Sequence, residues 1–127
     1  MIVGIGTDIL ALNRLAHLNG AWSDPFFKRS FTEREITDSL TSDSPLVSFA
    51  IRFSMKESVF KALRISPNDA KFNEIEYATD ELGRPSVALL GSMHEVAQAI
   101  TNDSYSLYVS ASFEDKYVNT VVVLERL

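Results

Sequence analysis

The chain has no cysteine, one tryptophan and only two histidines, His17 and His94. Without thiols it can form no disulfide, no thiolate zinc site and no cysteine nucleophile, and two lone imidazoles exclude a histidine-rich metal centre. No apolar run reaches the roughly 20 residues that span a bilayer, and the opening MIVGIGTDIL lacks the layout of a secretion signal. A cytoplasmic protein with no membrane segment is expected. Positive charge is also short: 12 Lys and Arg against 17 Asp and Glu leave a net charge of −5, which argues against capture of nucleic acid. Repeats, linkers and low-complexity tracts are missing, so residues 1–127 should close one hydrophobic core as a single domain.

Hydrophobic residues make up 46% of the chain and charged residues 23%, the balance of an ordered globular protein. Ile2 to Thr7 alternates β-branched residues with glycines and reads as a strand, with Val3, Ile5 and Thr7 on one face and Gly4, Gly6 and Asp8 on the other. Ile9, Leu12, Leu15 and Ala16 then recur at helical spacing, which predicts a helix from about Ile9 to Asn19. Thr32 with Glu35 has the form of a capping box opening a short helix at Glu33. A loose segment is expected from Thr37 to Pro45. Ser44-Pro45 starts a long helix to about Leu63, since proline suits the first helical position. Strands are predicted over Phe72 to Thr79, Pro85 to Leu90, Tyr105 to Phe113 and Tyr117 to Glu125, with a helix over Gly91 to Thr101. Strands and helices that do not strictly alternate indicate an α+β fold.

The segment RFSMKESVFKAL, Arg52 to Leu63, carries the first chemical signal. Leu46, Phe49, Ala50, Phe53, Phe60 and Leu63 make an apolar helical face, and Glu57 falls among them. A carboxylate drawn out of water needs compensation. Lys61 at i+4, an arginine from elsewhere, or a divalent cation shared with a second carboxylate would supply it. Asp8 is the candidate second ligand, because its same-face neighbours are glycines that leave room beside the backbone; as a simple N-cap it would serve equally well. Two carboxylates without thiol or imidazole would favour Mg²⁺ over zinc, and Arg52, Lys56 and Lys61 border them with positive charge suited to an anionic substrate.

GIGTDI at Gly4 to Ile9, Arg14, FTEREI at Phe31 to Ile36, RFSMKESVFKAL, IEYATDELGRP at Ile75 to Pro85 and VSASFEDKYVNTVVVLE at Val109 to Glu125 follow in an order that resembles the holo-acyl-carrier-protein synthases, the small 4′-phosphopantetheinyl transferases. The resemblance covers nearly the whole chain. It implies a mostly antiparallel sheet packed against a long central helix, and transfer of 4′-phosphopantetheine from coenzyme A to a serine of an apo acyl carrier protein with Mg²⁺. It also implies a homotrimer with sites between subunits. Carried over by position, Asp8 and Glu57 would be metal ligands and Lys61 catalytic or phosphate-contacting. Arg52 and Lys56 would bind the nucleotide, and Arg14 would engage the carrier or coenzyme A.

Two segments depart from the family pattern. Arg64, Ile65 and Ser66 replace a glycine turn, so Arg64 would have to offer its guanidinium where backbone donors are usual. Tyr108 and Phe113 stand at the histidine positions of the last hairpin, which leaves a carboxylate, a water or Lys61 to take the serine proton. Strand alternation puts Ser110 and Ser112 on the face that would line the site. An acidic carrier would need a local positive surface, for which Arg14, Lys28 and Arg29, joined by Arg34, are available. A binding module that keeps coenzyme A or carrier recognition without efficient transfer is the alternative reading.

Overall fold

A computed structural model describes all residues, Met1–Leu127. Strand β1 (Ile2–Ala11) leads through two short 3₁₀ turns to helices α1 (Pro25–Ser30), α2 (Glu33–Leu40) and α3 (Pro45–Leu63). The β2 (Ile75–Thr79) and β3 (Pro85–Leu89) hairpin, α4 (Gly91–Thr101) and the long hairpin of β4 (Tyr105–Glu114) and β5 (Tyr117–Arg126) complete the chain. The sheet is antiparallel in the order β1-β5-β4, and β2-β3 forms a separate antiparallel pair. This is the expected α+β arrangement, with α3 against the three-stranded sheet.

The bare glycines of β1 let α3 lie directly on the strand. A Cβ on Gly4 would stand 2.0 Å from the Ala62 carbonyl oxygen, and one on Gly6 would stand 1.8 Å from that of Ser58. Only glycine fits either contact. Met55, Val59, Phe60 and Leu63 of α3 then meet Ile75, Met93, Val122 and Leu124 in the main core, while Phe27, Phe31 and Phe49 form a second cluster with Trp22.

The helix expected from Ile9 to Asn19 is not formed. β1 runs on to Ala11 because β5 offers ladder partners, Ile9 to Asn119 and Ala11 to Tyr117, and pairing outweighs a weak helical periodicity. Asp8 is therefore a mid-strand residue and not a helix cap. Helix α1 was not anticipated, although Asp24-Pro25 repeats the signal of Ser44-Pro45 and the Asp24 carboxylate accepts from the Phe26 amide. The Thr32–Glu35 capping box forms at both bonds, and α2 continues to Leu40, into the segment expected to be loose.

Candidate active site

Helix α3 is enclosed on most of its circumference, and the apolar stripe does not capture this. Phe53, Glu57 and Lys61, one turn apart in succession, follow its more open edge. Asp8 reaches that edge from β1, and the turn after β1 carries Arg14 to it. Asp8, Ile9, Leu10, Arg14, Phe53 and Glu57 line one cleft of about 300 Å³. The two carboxylates picked from separate segments of sequence thus come together, along with Arg14.

Burial first, and then the charge of Asp8, push the Glu57 carboxyl above its ordinary range; Lys61 and Arg14 pull it back only in part. The Lys61 ammonium donates to the Thr7 carbonyl at 2.7 Å and to Asp8 Oδ1 at 3.3 Å. Asn119 Nδ2 donates to the Asp8 carbonyl at 3.1 Å, so both sides of this strand segment are held. Phe53 lines the cleft and was missed by sequence reasoning, its only signal being the four-residue spacing to Glu57. Asn119, which pairs with Ile9, holds the Asp8 backbone from the opposite sheet face.

No group of three or more His, Asp or Glu gathers anywhere in the fold. Two carboxylates suit a hard cation such as Mg²⁺, whose remaining positions are commonly filled by water and substrate phosphate oxygens. The half-buried Glu57, held above its usual range beside Asp8, is the observation that fits a cation between them.

Other expected contacts lie elsewhere. Lys56 is fully buried: it donates to Glu35 Oε1 at 2.7 Å and to the carbonyls of Phe72 and Ile75, and presents nothing to a nucleotide. Its spacing from Arg52 suggested a shared positive side, but the helix turns it into the core. Arg52 is also buried, with its guanidinium over the Tyr77 ring and Nη1 donating to Ser48 Oγ at 2.7 Å. It lines a separate cavity of about 360 Å³ with Asp38, Asp43 and Ser44, and burial lowers its pKa. Arg64 is exposed and left-handed at φ 57°, closing α3 as its C-cap. Ser110 pairs with Val121 on the sheet face away from α3, whereas Asp8 pairs with Thr120 on the face toward it. Within one chain Ser110 and Asp8 cannot share a site. Lys28 and Arg29 end α1, both exposed, and Arg34 is engaged by Asp38 and Glu76.

Residues 4–120 match the model of the 4′-phosphopantetheinyl transferase superfamily. The chain belongs to this superfamily. It is 34% identical over 128 residues to a holo-[acyl-carrier-protein] synthase of Acidithiobacillus ferrooxidans, covering 99% of this chain and 98% of the relative. A synthase of the same name from Dehalococcoides mccartyi is 38% identical over 120 residues, covering 94% and 96%. Among solved structures, the holo-[acyl-carrier-protein] synthase of Neisseria meningitidis superposes with a TM-score of 0.82 at 31% identity, over 98% of this chain and 99% of that one. The Bacillus anthracis enzyme, solved in complex with CoA (3′,5′-ADP), superposes with a TM-score of 0.80 at 28% identity, over 100% and 99%. These relatives and solved structures agree with this chain in length and in fold.

Proposed function

We propose that the protein is a holo-acyl-carrier-protein synthase: the serine hydroxyl of an apo carrier attacks the phosphorus next to pantetheine in coenzyme A, forming a phosphodiester and releasing 3′,5′-ADP. The observation that carries this reading is the meeting of Asp8 and Glu57 at one cleft, with Lys61 paired to Asp8, in a chain of this superfamily. Asp8 and Glu57 would hold Mg²⁺, which supplies neutralisation of charge on the pyrophosphate as the leaving group departs. Lys61, already turned toward Asp8, adds a cation beside the same oxygens. The serine proton would pass to a carboxylate or to water, since neither histidine lies at the cleft and the Lys61 ammonium has no lone pair to accept it. Arg14 lines the cleft and Lys28 and Arg29 are exposed at the end of α1, positive charge that would meet an acidic carrier.

A homotrimer accords with the outer face of the sheet. Ile5 at 59% exposure, Ile9 at 66%, Tyr108 at 54% and Tyr117 at 52% lie there around Ser110, an apolar surface suited to a second copy. In such an assembly Ser110 would serve a neighbour's site. No helix is long and apolar enough to cross a membrane, and a cytoplasmic place fits a coenzyme A-dependent step.

The test is to incubate the protein with coenzyme A, Mg²⁺ and several apo carriers and follow each carrier's intact mass with and without chelator. One added phosphopantetheine, lost with chelator, is the expected result. No gain from folded protein, with coenzyme A still bound, would instead support a recognition module, the reading favoured by Tyr108 and Phe113 at the histidine positions.

A further inference from the structure

At the level of Glu57, α3 is seated on the sheet by hydroxyls and not by apolar side chains. Ser54 and Ser58 are 0% exposed and Thr120 is 1% exposed. Thr120 Oγ1 lies 2.9 Å from Ser54 Oγ and 2.7 Å from Ser58 Oγ, and Ser58 Oγ also lies 3.3 Å from the Thr120 carbonyl oxygen. One donor order satisfies all three hydroxyls: Ser54 donates to Thr120, Thr120 to Ser58, and Ser58 to the Thr120 carbonyl. The chain of bonds closes without water.

Its position gives it meaning. Thr120 is the cross-strand partner of Asp8, on the same sheet face. Ser58 directly follows Glu57 and Ser54 precedes it by three, while the Ser58 carbonyl is the atom that forbids a Cβ on Gly6, the same-face neighbour of Asp8. Around these bonds the contact is built from small groups, which alone would tolerate a small rotation or slide of the helix. Hydrogen bonds between buried hydroxyls are directional, and breaking one leaves an unpaired polar group, so the three together permit one seating.

We infer that Thr120 is a positioning residue: through Ser54 and Ser58 it fixes the rotation of α3 on β5 and thereby sets Glu57 opposite Asp8. This rests on the reading of those carboxylates as a cation site, and the consequence is an effect on metal affinity by a residue that touches neither metal nor substrate.

Mn²⁺ binding to the full-length protein without coenzyme A, followed by electron paramagnetic resonance, tests it. Thr120→Val keeps the shape and removes the hydroxyl; Mn²⁺ affinity should fall about 10-fold, the scale of lost supporting contacts at metal sites. Thr120→Ser should restore it to within about twofold, and turnover of Thr120→Val should recover at saturating Mg²⁺. A folded Thr120→Val protein with lowered Tm but unchanged Mn²⁺ affinity would overturn the inference. Should Thr120→Val not fold, Ser58→Ala, which suits a helix, takes its place with the same expected loss. Glu57→Gln is the control. If the native protein binds no Mn²⁺, or Glu57→Gln binds it equally well, the cation-site reading fails. A crystal structure of the Thr120 or Ser58 variant then decides the positioning alone: a shifted Glu57 supports it and an unmoved Glu57 refutes it.

Discussion

Helix α3 carries two lysine–carboxylate pairs five residues apart, and they serve opposite ends. Lys56 and Glu35 are both 0% exposed and 2.7 Å apart. All three ammonium protons of Lys56 are used, on Glu35 and two carbonyls, and both Glu35 oxygens accept, from the Thr32 and Tyr77 amides besides. Lys61 and Asp8 stand 3.3 Å apart, the lysine side chain 54% exposed and the aspartate 17%, with a second carboxylate beside them. The first pair ties α2, α3 and β2 together and has nothing left to give. The second keeps acceptors free and holds its carboxylates under mutual repulsion, a state that positive charge relieves.

Breaking the closed pair should have the largest effect. Lys56→Met leaves the Glu35 carboxylate buried without its cation and should cost about 3–5 kcal/mol in denaturant unfolding. The equivalent change in the open pair, Lys61→Met, should cost less than about 1 kcal/mol of stability yet lower turnover at least tenfold. Equal destabilisation by the two would erase the distinction.

Glu57→Gln should reduce turnover by about 10³-fold or more, roughly 4 kcal/mol of barrier, while the fold persists. Because the folded protein holds the Glu57 carboxyl above its ordinary value of about 4.5, this group favours folding only while protonated. That contribution is present below pH 4.5 and is lost as pH rises through the folded value. The variant should therefore have a slightly higher Tm than the native protein at pH 7 without metal, and no such gain in acid. A lower Tm at pH 7 would mean that Glu57 is a structural ion pair after all.

The seating of the open pair can be probed from the strand. Gly6→Ala drives a methyl to 1.8 Å from the Ser58 carbonyl, so the helix must lift. About 1–3 kcal/mol of stability and a larger share of activity should go together. Native activity in the Gly6→Ala protein would show that the Asp8–Glu57 spacing is not critical.

The sequence made these pairs legible to different degrees. Helices α3 and α4 matched their expected bounds because proline, glycine and their neighbours mark ends locally. Asp8 and Glu57 were found because one follows glycines and the other interrupts an apolar pattern, although the glycines turned out to receive the helix itself. The cation-binding role proposed for Asp8 and Glu57 was one of several readings open from the residues, and the family resemblance singled it out. The fate of Lys56 was not legible: its partners lie 21 residues before it at Glu35 and 16 and 19 after it at Phe72 and Ile75. Its i+4 spacing from Arg52 describes only the isolated helix. The end of β1 was lost in the same way, since Asn119 and Tyr117 set it from the far end of the chain.

Glu74 sharpens the comparison, for it shows that saturation of acceptors, more than burial, separates structural carboxylates from those of the cleft. It is only partly buried, yet its carboxylate accepts from Ser92 Oγ and, at 3.1 Å, from the Met93 amide, capping α4 where Leu90 supplies no side-chain bond. The Ser92 hydrogen bond chiefly, helped by the Met93 amide, depresses its pKa below 4.5, the opposite of Glu57. The stability it contributes is therefore complete above pH 4.5 and disappears as pH falls through the folded value. Glu74→Gln should cost about 1 kcal/mol at pH 7, as other lost caps do. Unfolding curves of the two proteins should converge in acid, because the native carboxyl then becomes neutral as well. A gap unchanged at low pH would assign the effect to packing, and free acceptors would no longer distinguish Asp8 and Glu57 from the other carboxylates of this fold.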